Sequence, residues 1–360
     1  MHYSLQPERR KTRKVQLGKL SVGGDSPITV QSMCTTNTWD AQATLEQIHR
    51  LETAGCEVIR VTVPTEKDAA ALPEILAGIK IPLVADIHFD YRMAIKAAEA
   101  GVQKLRLNPG NIGGEKKVAL VTDCAKAHKL PIRIGVNAGS LERDILEKFL
   151  RPTPEAMCES ALRHIHILED HAFHDIIVSL KASDPKLMID SYTLLAKKVD
   201  YPFHLGVTEA GPKFSGTIKS TIGIGTLLER GIGDTIRVSL TAEPEEEVKV
   251  GFEILKSLRL REKGINLIAC PTCGRLEIDL FKLCDQVEER FKHVEMPIEI
   301  AIMGCVVNGP GEAQAAKIGL AAGRGQGVLY VDGKVVKKVP EAEMLNALAE
   351  QVSQIVGRPV

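Results

Sequence analysis

The feature that most constrains this chain is an alternation of short apolar β-branched runs with amphipathic stretches, repeated eight times over about 230 residues. The runs have the length of buried strands, and the stretches between them have helical spacing. The predicted strands are residues 29–33, 57–63, 82–87, 104–108, 132–137, 175–180, 202–208 and 235–240. The predicted helices are residues 40–54, 66–79, 91–100, 115–129, 154–171, 185–199, 215–230 and 244–261. Several helices begin at a cap followed by proline, as at Thr153-Pro154 and Asp184-Pro185.

Eight consecutive strand-then-helix units predict an α/β protein with an N-terminal (β/α)8 TIM barrel. The alternative is a doubly wound sheet, which would carry a glycine-rich phosphate loop after its first strand. Neither Gly-x-Gly stretch fits that loop. Gly223-Ile224-Gly225 lacks the third glycine, and Gly323-Arg324-Gly325 lies far from any first strand. The sequence therefore favours the barrel.

The pattern changes after the last barrel unit. Two strands are predicted at residues 266–269 and 298–303 with a helix at 276–291 between them. A hairpin at 327–336 turns at Asp332-Gly333, and a final helix covers 341–355. We predict a TIM-barrel domain over residues 1–262 and a smaller α+β domain over residues 263–360.

Composition excludes several classes of partner. The 46 Lys and Arg residues balance the 46 Asp and Glu residues, whereas nucleic-acid binders usually carry a basic excess. The basic stretch at residues 1–20 is not followed by an apolar stretch of signal-peptide length, and no run is long enough to span a bilayer. We expect a cytoplasmic protein that binds neither nucleic acid nor membrane. Eight cysteines in so long a chain are too few for a disulfide scaffold.

The strand ends of the predicted barrel are unusually polar. Reacting groups of such barrels lie at the carboxyl ends of the strands, and residues two apart on a strand share a face. Five cations on five strands would repel one another unless an anion lay between them, and arginine binds phosphate oxygens in a bidentate way. The sequence predicts a phosphate-rich ligand. The candidate binding residues are Arg60, Asp86, His88, Arg106, Asn108, Arg133, Asn137, Lys181, Arg237 and Ser239.

Two acidic residues near these strand ends have alternative interpretations. Glu209, after the seventh strand, is a candidate for moving a proton near the substrate, or for orienting an arginine. Asp86 and His88 form either a second functional pair or a buried hydrogen-bonding pair.

Three of the cysteines form a separate pattern. Cys270 and Cys273 stand in a C-P-T-C-G run at the end of one predicted strand, and Cys305 stands at the end of the next. Three thiolates at neighbouring strand ends can converge on a metal centre, and for an iron–sulfur cluster Glu312 is a candidate fourth ligand. Zinc, an iron–sulfur cluster and a redox-active dithiol all remain open on this pattern, although a dithiol leaves Cys305 unexplained. The five other cysteines lie mostly in or beside predicted helices.

These motifs together resemble a known family. The pairing of residues 270–275 (CPTCGR) with residues 303–312 (MGCVVNGPGE), behind a basic barrel that begins with residues 30–33 (VQSM), is similar to the 4-hydroxy-3-methylbut-2-en-1-yl diphosphate synthase family over essentially the whole chain. The chain resembles its shorter, two-domain bacterial form.

The resemblance implies a reductase of the non-mevalonate isoprenoid pathway. It would open the ring of 2-C-methyl-D-erythritol 2,4-cyclodiphosphate and remove a hydroxyl as water with two electrons. The cofactor implied is a [4Fe–4S] cluster on Cys270, Cys273 and Cys305, with Glu312 as the fourth and catalytic ligand. Glu209 would supply a proton, and the polar barrel residues would clamp the diphosphate.

Partners are implied as well. A flavodoxin or ferredoxin would donate electrons, and a homodimer would join the barrel of one subunit to the cluster domain of the other. An alternative function is a non-redox TIM-barrel enzyme that acts on a phosphorylated substrate and carries a structural zinc site.

Overall fold

The computed structural model describes residues 8–305, 307 and 309–360. The chain divides into two compact units, Met1–Arg261 and Glu262–Val360.

The first unit begins with a hairpin and continues as a barrel of eight parallel strands, each followed by at least one helix. The hairpin strands are β1 (Val15–Leu17) and β2 (Leu20–Val22). The barrel strands are β3 (Thr29–Met33), β4 (Val58–Thr62), β5 (Leu83–Asp86), β6 (Lys104–Arg106), β7 (Ile132–Asn137), β8 (Ile176–Lys181), β9 (His204–Leu205) and β10 (Thr235–Ile236). The helices are α1 (Ala41–Thr53), α2 (Glu66–Gly78), α3 (Tyr91–Ala100), α4 (Glu115–Ala127), α5 (Arg143–Phe149), α6 (Pro154–Asp170), α7 (Pro185–Leu195), α8 (Lys213–Glu229) and α9 (Pro244–Ser257).

The strand order confirms the predicted (β/α)8 barrel. The hydrogen-bonded order is β8-β7-β6-β5-β4-β3-β10-β9, with every pair parallel. A parallel bridge between Val178 of β8 and Phe203 joins the two ends of this sheet. The N–H of Val178 donates to the carbonyl of Pro202 at 3.0 Å, so the barrel closes next to the short strand β9.

Local capping explains where several helices begin. The side chains of Thr153 and Asp184 accept hydrogen bonds from backbone N–H groups in the first turns of α6 and α7, each of which has proline near its start. In α2, Thr65 and Asp68 form a reciprocal capping box.

The hairpin and one helix were not expected from the sequence. Val15, Leu17 and Val22 of the hairpin are buried with Val58, Val84 and Ile177 near the starts of three barrel strands, so the hairpin covers the amino-terminal end of the barrel. Its strands are too short for a periodic signal. Helix α5 lies between β7 and α6. Strands β9 and β10 hold two residues each, because the following residues leave the ladder for the loops.

The second unit is built on a five-stranded mixed sheet. Its strands are β11 (Ile265–Ala269), β12 (Ile298–Met303), β13 (Ile318–Gly323), β14 (Gln326–Val331) and β15 (Lys334–Pro340), paired in that order. Its helices are α10 (Leu280–Phe291), α11 (Gly309–Ala315) and α12 (Met344–Val356). The first two pairs are parallel and the last two antiparallel. Helix α10 begins later than expected, at the Asp279 cap, and neither β13 nor α11 was predicted.

Helix α11 lies unusually close to β13. A Cβ added at Gly319 of β13 would lie 1.9 Å from the carbonyl oxygen of Ala313, which follows Glu312 in the helix. Gly309, at the start of α11, likewise faces Ala321 with 3.3 Å between its would-be Cβ and that of Ala321. Two glycines therefore let the helix and the strand approach, and this approach sets the position of Glu312.

None of the described helices combines the length and the apolar character needed to cross a bilayer.

We expect Gly319→Ala to lower the free energy of unfolding by about 1–3 kcal/mol, because the added methyl meets backbone that cannot rotate away. Gly327→Ala is the matched control in the same sheet. Its methyl would lie 2.9 Å from the terminal methyl of Met344, which can change rotamer. Urea denaturation of both variants checks the difference, and equal costs would contradict it.

Candidate active site

The structure places most of the residues predicted at strand ends at or beyond the carboxyl ends of the barrel strands, but Arg133 is the second residue of β7 and Arg60 the third of β4. Arg60 and Arg133 lie within β4 and β7, whereas Asp86, Arg106, Asn137 and Lys181 are the last residues of β5, β6, β7 and β8. The other predicted residues lie in the loops that leave these ends, namely His88, Asn108, Glu209, Arg237 and Ser239. We call the side chains of Arg60, Asp86, Arg106, Arg133, Lys181 and Arg237 the cationic mouth.

Asp86 is the carboxylate at the centre of the cationic mouth. Its Oδ1 lies 3.1 Å from Arg106 Nη1 and its Oδ2 lies 3.7 Å from Arg60 Nε. Burial alone would raise the pKa of Asp86, but the charges of Arg60 and Arg106 outweigh burial and lower it. Asp86 is therefore ionised, and it holds two arginines together rather than binding a phosphate.

A glycine in β7 allows Arg106 to lie across the barrel. A Cβ added at Gly135 would lie 2.6 Å from Arg106 Nε and 2.7 Å from its Nη2, and that Nη2 donates to the Gly135 carbonyl at 3.1 Å. Asn108 bonds to the same residue twice: its Oδ1 accepts from the Gly135 N–H at 2.8 Å and its Nδ2 donates to the carbonyl at 3.0 Å. Arg106 and Asn108 are thus fixed against β7 by one residue without a side chain.

Arg133 and Lys181 are the most deeply buried cations of the mouth. Arg133 is 1% exposed; its Nη1 donates to Ser179 Oγ at 2.8 Å, while its Nε and Nη2 have no partner among the described residues. Burial lowers the pKa of Lys181 well below its usual value, and the charges of Arg133 and Arg237 add to this effect. An anion bound here would supply the missing partners and the missing negative charge.

Arg60 and Arg237 both approach the sulfur of Met33, a residue that was not predicted to belong to the site. Arg60 Nη2 lies 2.6 Å from Met33 Sδ, and Arg237 Nη1 lies 3.5 Å from the same sulfur. Burial lowers the pKa of Arg60 to about 9, although Asp86 acts against that shift. Arg237 Nη2 also lies 3.6 Å from Glu247 Oε2 of α9. Nothing in the local pattern of α9 distinguishes Glu247 from the acidic residues around it.

A second polar layer lies beneath the mouth. Lys104 is fully buried, and its Nζ donates to Gln31 Oε1 at 3.2 Å. His204 is also fully buried, and neither ring nitrogen has a hydrogen-bond partner among the described residues. Burial, followed by the charges of Arg133 and other cations, lowers the pKa of His204 well below its usual value. Lys104 precedes Arg106 by two residues, so both side chains lie on the same face of β6. This spacing could have identified Lys104 from the sequence.

His88 and Glu209 lie at the exposed rim rather than among the cations. Glu209 has φ +53°, in the left-handed region that side chains other than glycine rarely adopt. Residues held in this region are often part of a functional loop. The structure does not bring either side chain into an ion pair with the cationic mouth.

The candidate cysteines lie together at one edge of the second unit. Cys270 follows β11, and Cys305 follows the next strand of the sheet, β12. The N–H of Gly304 donates to Cys270 Sγ at 3.4 Å, and the N–H of Glu277 donates to the Gly304 carbonyl at 3.1 Å. A Cβ at Gly304 would lie 2.4 Å from Leu276 Cδ1 and 3.5 Å from Cys270 Sγ, so the glycine leaves room for both side chains beside β12.

The thiols are accessible to a cofactor from outside. All eight cysteines are thiols rather than disulfides; Cys270 and Cys305 are half-buried and Cys273 is exposed. Among the residues that the structure describes, no three His, Cys, Asp or Glu side chains lie close enough to hold a single metal ion. Glu312 is exposed in the first turn of α11. Asn308 of the same motif lies outside the described residues.

Two family models match the chain. One, described as the GcpE TIM-barrel domain, matches residues 12–252, and the other, described as the GcpE protein C-terminal domain, matches residues 266–354.

Individual relatives cover almost the whole chain. The 4-hydroxy-3-methylbut-2-en-1-yl diphosphate synthase (flavodoxin) of Geobacillus kaustophilus is 56% identical over 347 residues, 96% of this chain and 93% of that protein. The protein of the same name from Geobacter sulfurreducens is 55% identical over 349 residues, 97% of this chain and 99% of that one. Among solved structures, a dihydropteroate synthase from Stenotrophomonas maltophilia covers 69% of this chain and 97% of its own, with TM-score 0.50 and 14% identity, a likeness of fold alone.

We expect Gly135→Ala to weaken the binding of inorganic pyrophosphate about tenfold, because the methyl displaces the Arg106 guanidinium. The fold should tolerate the change, since the atoms met first are at the flexible end of a side chain. The control is Gly139→Ala in the turn after β7, where an added Cβ meets nothing within 4 Å. Calorimetric titration of both variants checks this, and wild-type affinity in Gly135→Ala would refute it.

We expect Lys181→Met to raise the free energy of unfolding of the ligand-free protein by about 1–4 kcal/mol and to reduce the melting shift caused by pyrophosphate. The folded protein binds the Lys181 proton more weakly than the unfolded chain, so the protonated amine destabilises the fold. For the same reason, wild-type stability should rise with pH through the range between the two pKa values. Lys219→Met, on the exposed face of α8, is the control. A lower melting temperature for ligand-free Lys181→Met would contradict the argument.

Proposed function

The chain belongs to the GcpE family, whose two domain models it matches in order, and we propose that it is a 4-hydroxy-3-methylbut-2-en-1-yl diphosphate synthase. The reaction would be the reductive opening of 2-C-methyl-D-erythritol 2,4-cyclodiphosphate. Two electrons are consumed and one hydroxyl leaves as water, which gives (E)-4-hydroxy-3-methylbut-2-enyl diphosphate. This step belongs to the non-mevalonate isoprenoid pathway.

The observation that carries the proposal is the excess of buried positive charge in the cationic mouth. Arg60, Arg106, Arg133, Lys181 and Arg237 converge there, and Asp86 and Glu247 are the carboxylates that pair with them among the described residues. A cyclic diphosphate has the charge that such a site lacks and the oxygen atoms that its unpartnered N–H groups require. The alternative of a non-redox barrel enzyme with a zinc site explains the mouth equally well, but it does not account for the names of the relatives.

The residues of the cationic mouth would contact different parts of the substrate. Arg133 and Lys181 lie deepest and would hold the diphosphate, while Asp86 keeps Arg60 and Arg106 in place. Asn137 and Ser239, at the half-buried upper edge, would bind the remaining oxygens. Glu209, on its strained loop at the rim, would deliver a proton to the leaving hydroxyl. His88 lies at the same rim and would contact the substrate from the opposite loop.

The second unit fits an iron–sulfur cluster better than a single ion. Its three candidate thiols lie in the segments that follow the neighbouring strands β11 and β12, and three thiolates suit an iron–sulfur cluster, whereas a structural zinc site takes four ligands. Cys270, Cys273 and Cys305 would hold it, with Glu312 at the remaining iron. When bound, a [4Fe–4S] cluster supplies single electrons and a Lewis-acidic iron. The Gly304 N–H that donates to Cys270 Sγ would stabilise the thiolate charge.

The proposal includes partners and location. The names of the relatives carry the word flavodoxin, which supports a flavodoxin as electron donor, with a ferredoxin as an alternative. We propose a cytoplasmic homodimer in which the barrel of one subunit faces the cluster unit of the other. Cross-complementation between a barrel-site variant and a cluster-site variant would test that arrangement.

The proposed function predicts a brown protein after anaerobic reconstitution, with about four irons and four sulfides per chain and reductive conversion of the cyclic diphosphate. Cys270→Ser should lose most of the iron and all turnover, and Glu312→Ala should keep most of the iron but lose turnover. Iron and sulfide analysis, the visible spectrum and product chromatography check these outcomes.

The matched control is Cys284→Ser, a half-buried thiol of α10 that should keep both iron and activity. A colourless protein that contains zinc without iron or sulfide would contradict the cluster. A fully loaded protein that leaves the cyclic diphosphate unchanged would contradict the reaction.

A further inference from the structure

A buried histidine outside the cationic mouth holds the segment that follows β6. His164 lies in the middle of α6 and is 2% exposed. Its Nδ1 accepts a hydrogen bond from the backbone N–H of Gly110 at 3.3 Å, in the turn directly after Asn108. Its Nε2 lies 3.1 Å from Glu142 Oε1, in the segment that follows β7. One ring therefore connects two of the segments that carry the predicted phosphate ligands.

The contacts determine where the ring carries its proton. Because the Gly110 N–H donates to Nδ1, that nitrogen has a free lone pair, and the neutral ring has its proton on Nε2, which faces Glu142. Glu142 Oε2 accepts a second hydrogen bond from Ser160 Oγ at 2.7 Å. Burial would raise the pKa of Glu142, but the nearby His164 ring and the hydrogen bond from Ser160 lower it to about 2. An ionised Glu142 thus selects the tautomer that leaves Nδ1 available to Gly110.

The rest of α6 shows that this contact is specific. Its inward face is otherwise largely apolar, with Ala161, Ile165 and Leu168 buried in the barrel core, and Ser160 and His164 interrupt it four residues apart. A buried polar side chain is unfavourable unless it is hydrogen-bonded. The turn at Gly110 is also fitted to the ring, since a Cβ there would lie 2.9 Å from His164 Cε1.

We propose that His164 is a positioning residue for the anion site, which acts by holding the Gly110 backbone and so fixing Asn108 and Arg106 against Gly135. The backbone of Leu107 is already bonded to β7, through its N–H and the Arg133 carbonyl at 3.1 Å. Beyond Asn108 the chain leaves the sheet, and the bond to His164 is the next tether. The identity of the substrate rests on the proposed function, whereas the effect on anion binding does not.

The test separates the two contacts of the ring. In His164→Asn the amide oxygen can lie near the position of Nδ1 and still accept from Gly110. In His164→Gln the amide nitrogen can reach Glu142, but the Gly110 N–H is left without an acceptor. We expect His164→Gln and His164→Ala to weaken pyrophosphate binding about tenfold, and His164→Asn to remain within about threefold of wild type. In the reconstituted enzyme, KM for the cyclic diphosphate should rise by the same factors while kcat changes little.

A second pair of variants leaves the histidine in place. Gly110→Ala should weaken pyrophosphate binding as His164→Gln does, because the methyl pushes the turn away from the ring. Gly114→Ala, four residues later, is the control, since an added Cβ there meets nothing within 4 Å. Calorimetric titration and the melting temperature of each ligand-free variant are the measurements.

The outcomes separate a failure of the positioning role from a failure of the proposed function. Equal pyrophosphate affinity in wild type, His164→Gln and Gly110→Ala would overturn the positioning role even if all the variants melted earlier. Failure of the wild type to bind pyrophosphate would overturn it too. The expected order of affinities in a loaded protein that does not convert the cyclic diphosphate would support the positioning role and remove the proposed function.

Discussion

The constraint on which the first unit depends is the burial of more positive than negative charge inside the barrel. Arg60, Arg133 and Lys181 are almost fully buried, and Lys104 lies beneath them. Burial of an ion is unfavourable by several kcal/mol even after the protein relaxes. The lowered pKa values of Arg60 and Lys181 express this cost. The rest of the fold must therefore offset the unfavourable free energy of burying these cations. A bound anion would reduce that unfavourable free energy.

Glycine residues on neighbouring strands leave room for the long cationic side chains. Gly135 lies under Arg106, and Gly206 leaves room for Lys181, whose Nζ would lie 3.0 Å from a Cβ at that position. Where a typical TIM barrel is filled by layers of branched apolar side chains, this barrel is filled by long cationic ones. The hairpin at the amino-terminal end supplies apolar contacts that the carboxyl end lacks. Stability and binding are thus assigned to opposite ends of the same barrel.

Glycine has a related role in the second unit. Gly304 lets the loop that carries Cys270 and Cys273 lie against β12, and Gly319 lets α11 lie against β13. At Gly319 the neighbouring atoms are backbone atoms of Ala313, which cannot rotate away, whereas at Gly304 they are side-chain atoms of Leu276, Leu280 and Cys270. The position of Glu312 is therefore set by a close contact between main chains, and that of Cys270 by packing of its side chain against a residue without one. An electron-transfer cofactor requires this kind of support, because its ligands must keep their geometry as its charge changes.

The sequence by itself determined the eight strand-and-helix units of the barrel and the polar residues on and after its strands, because hydrophobic periodicity and capping are local properties. It did not reveal Glu247, His164 or the hairpin. Glu247 looks like any acidic residue in the first turn of a helix, and His164 like any polar residue on an amphipathic one. Only the tertiary structure decided that Glu247 points at Arg237 and that His164 meets Gly110. Glu247 is about 10 positions from Arg237 in the chain, and His164 is 54 positions from Gly110. No local pattern contains such contacts.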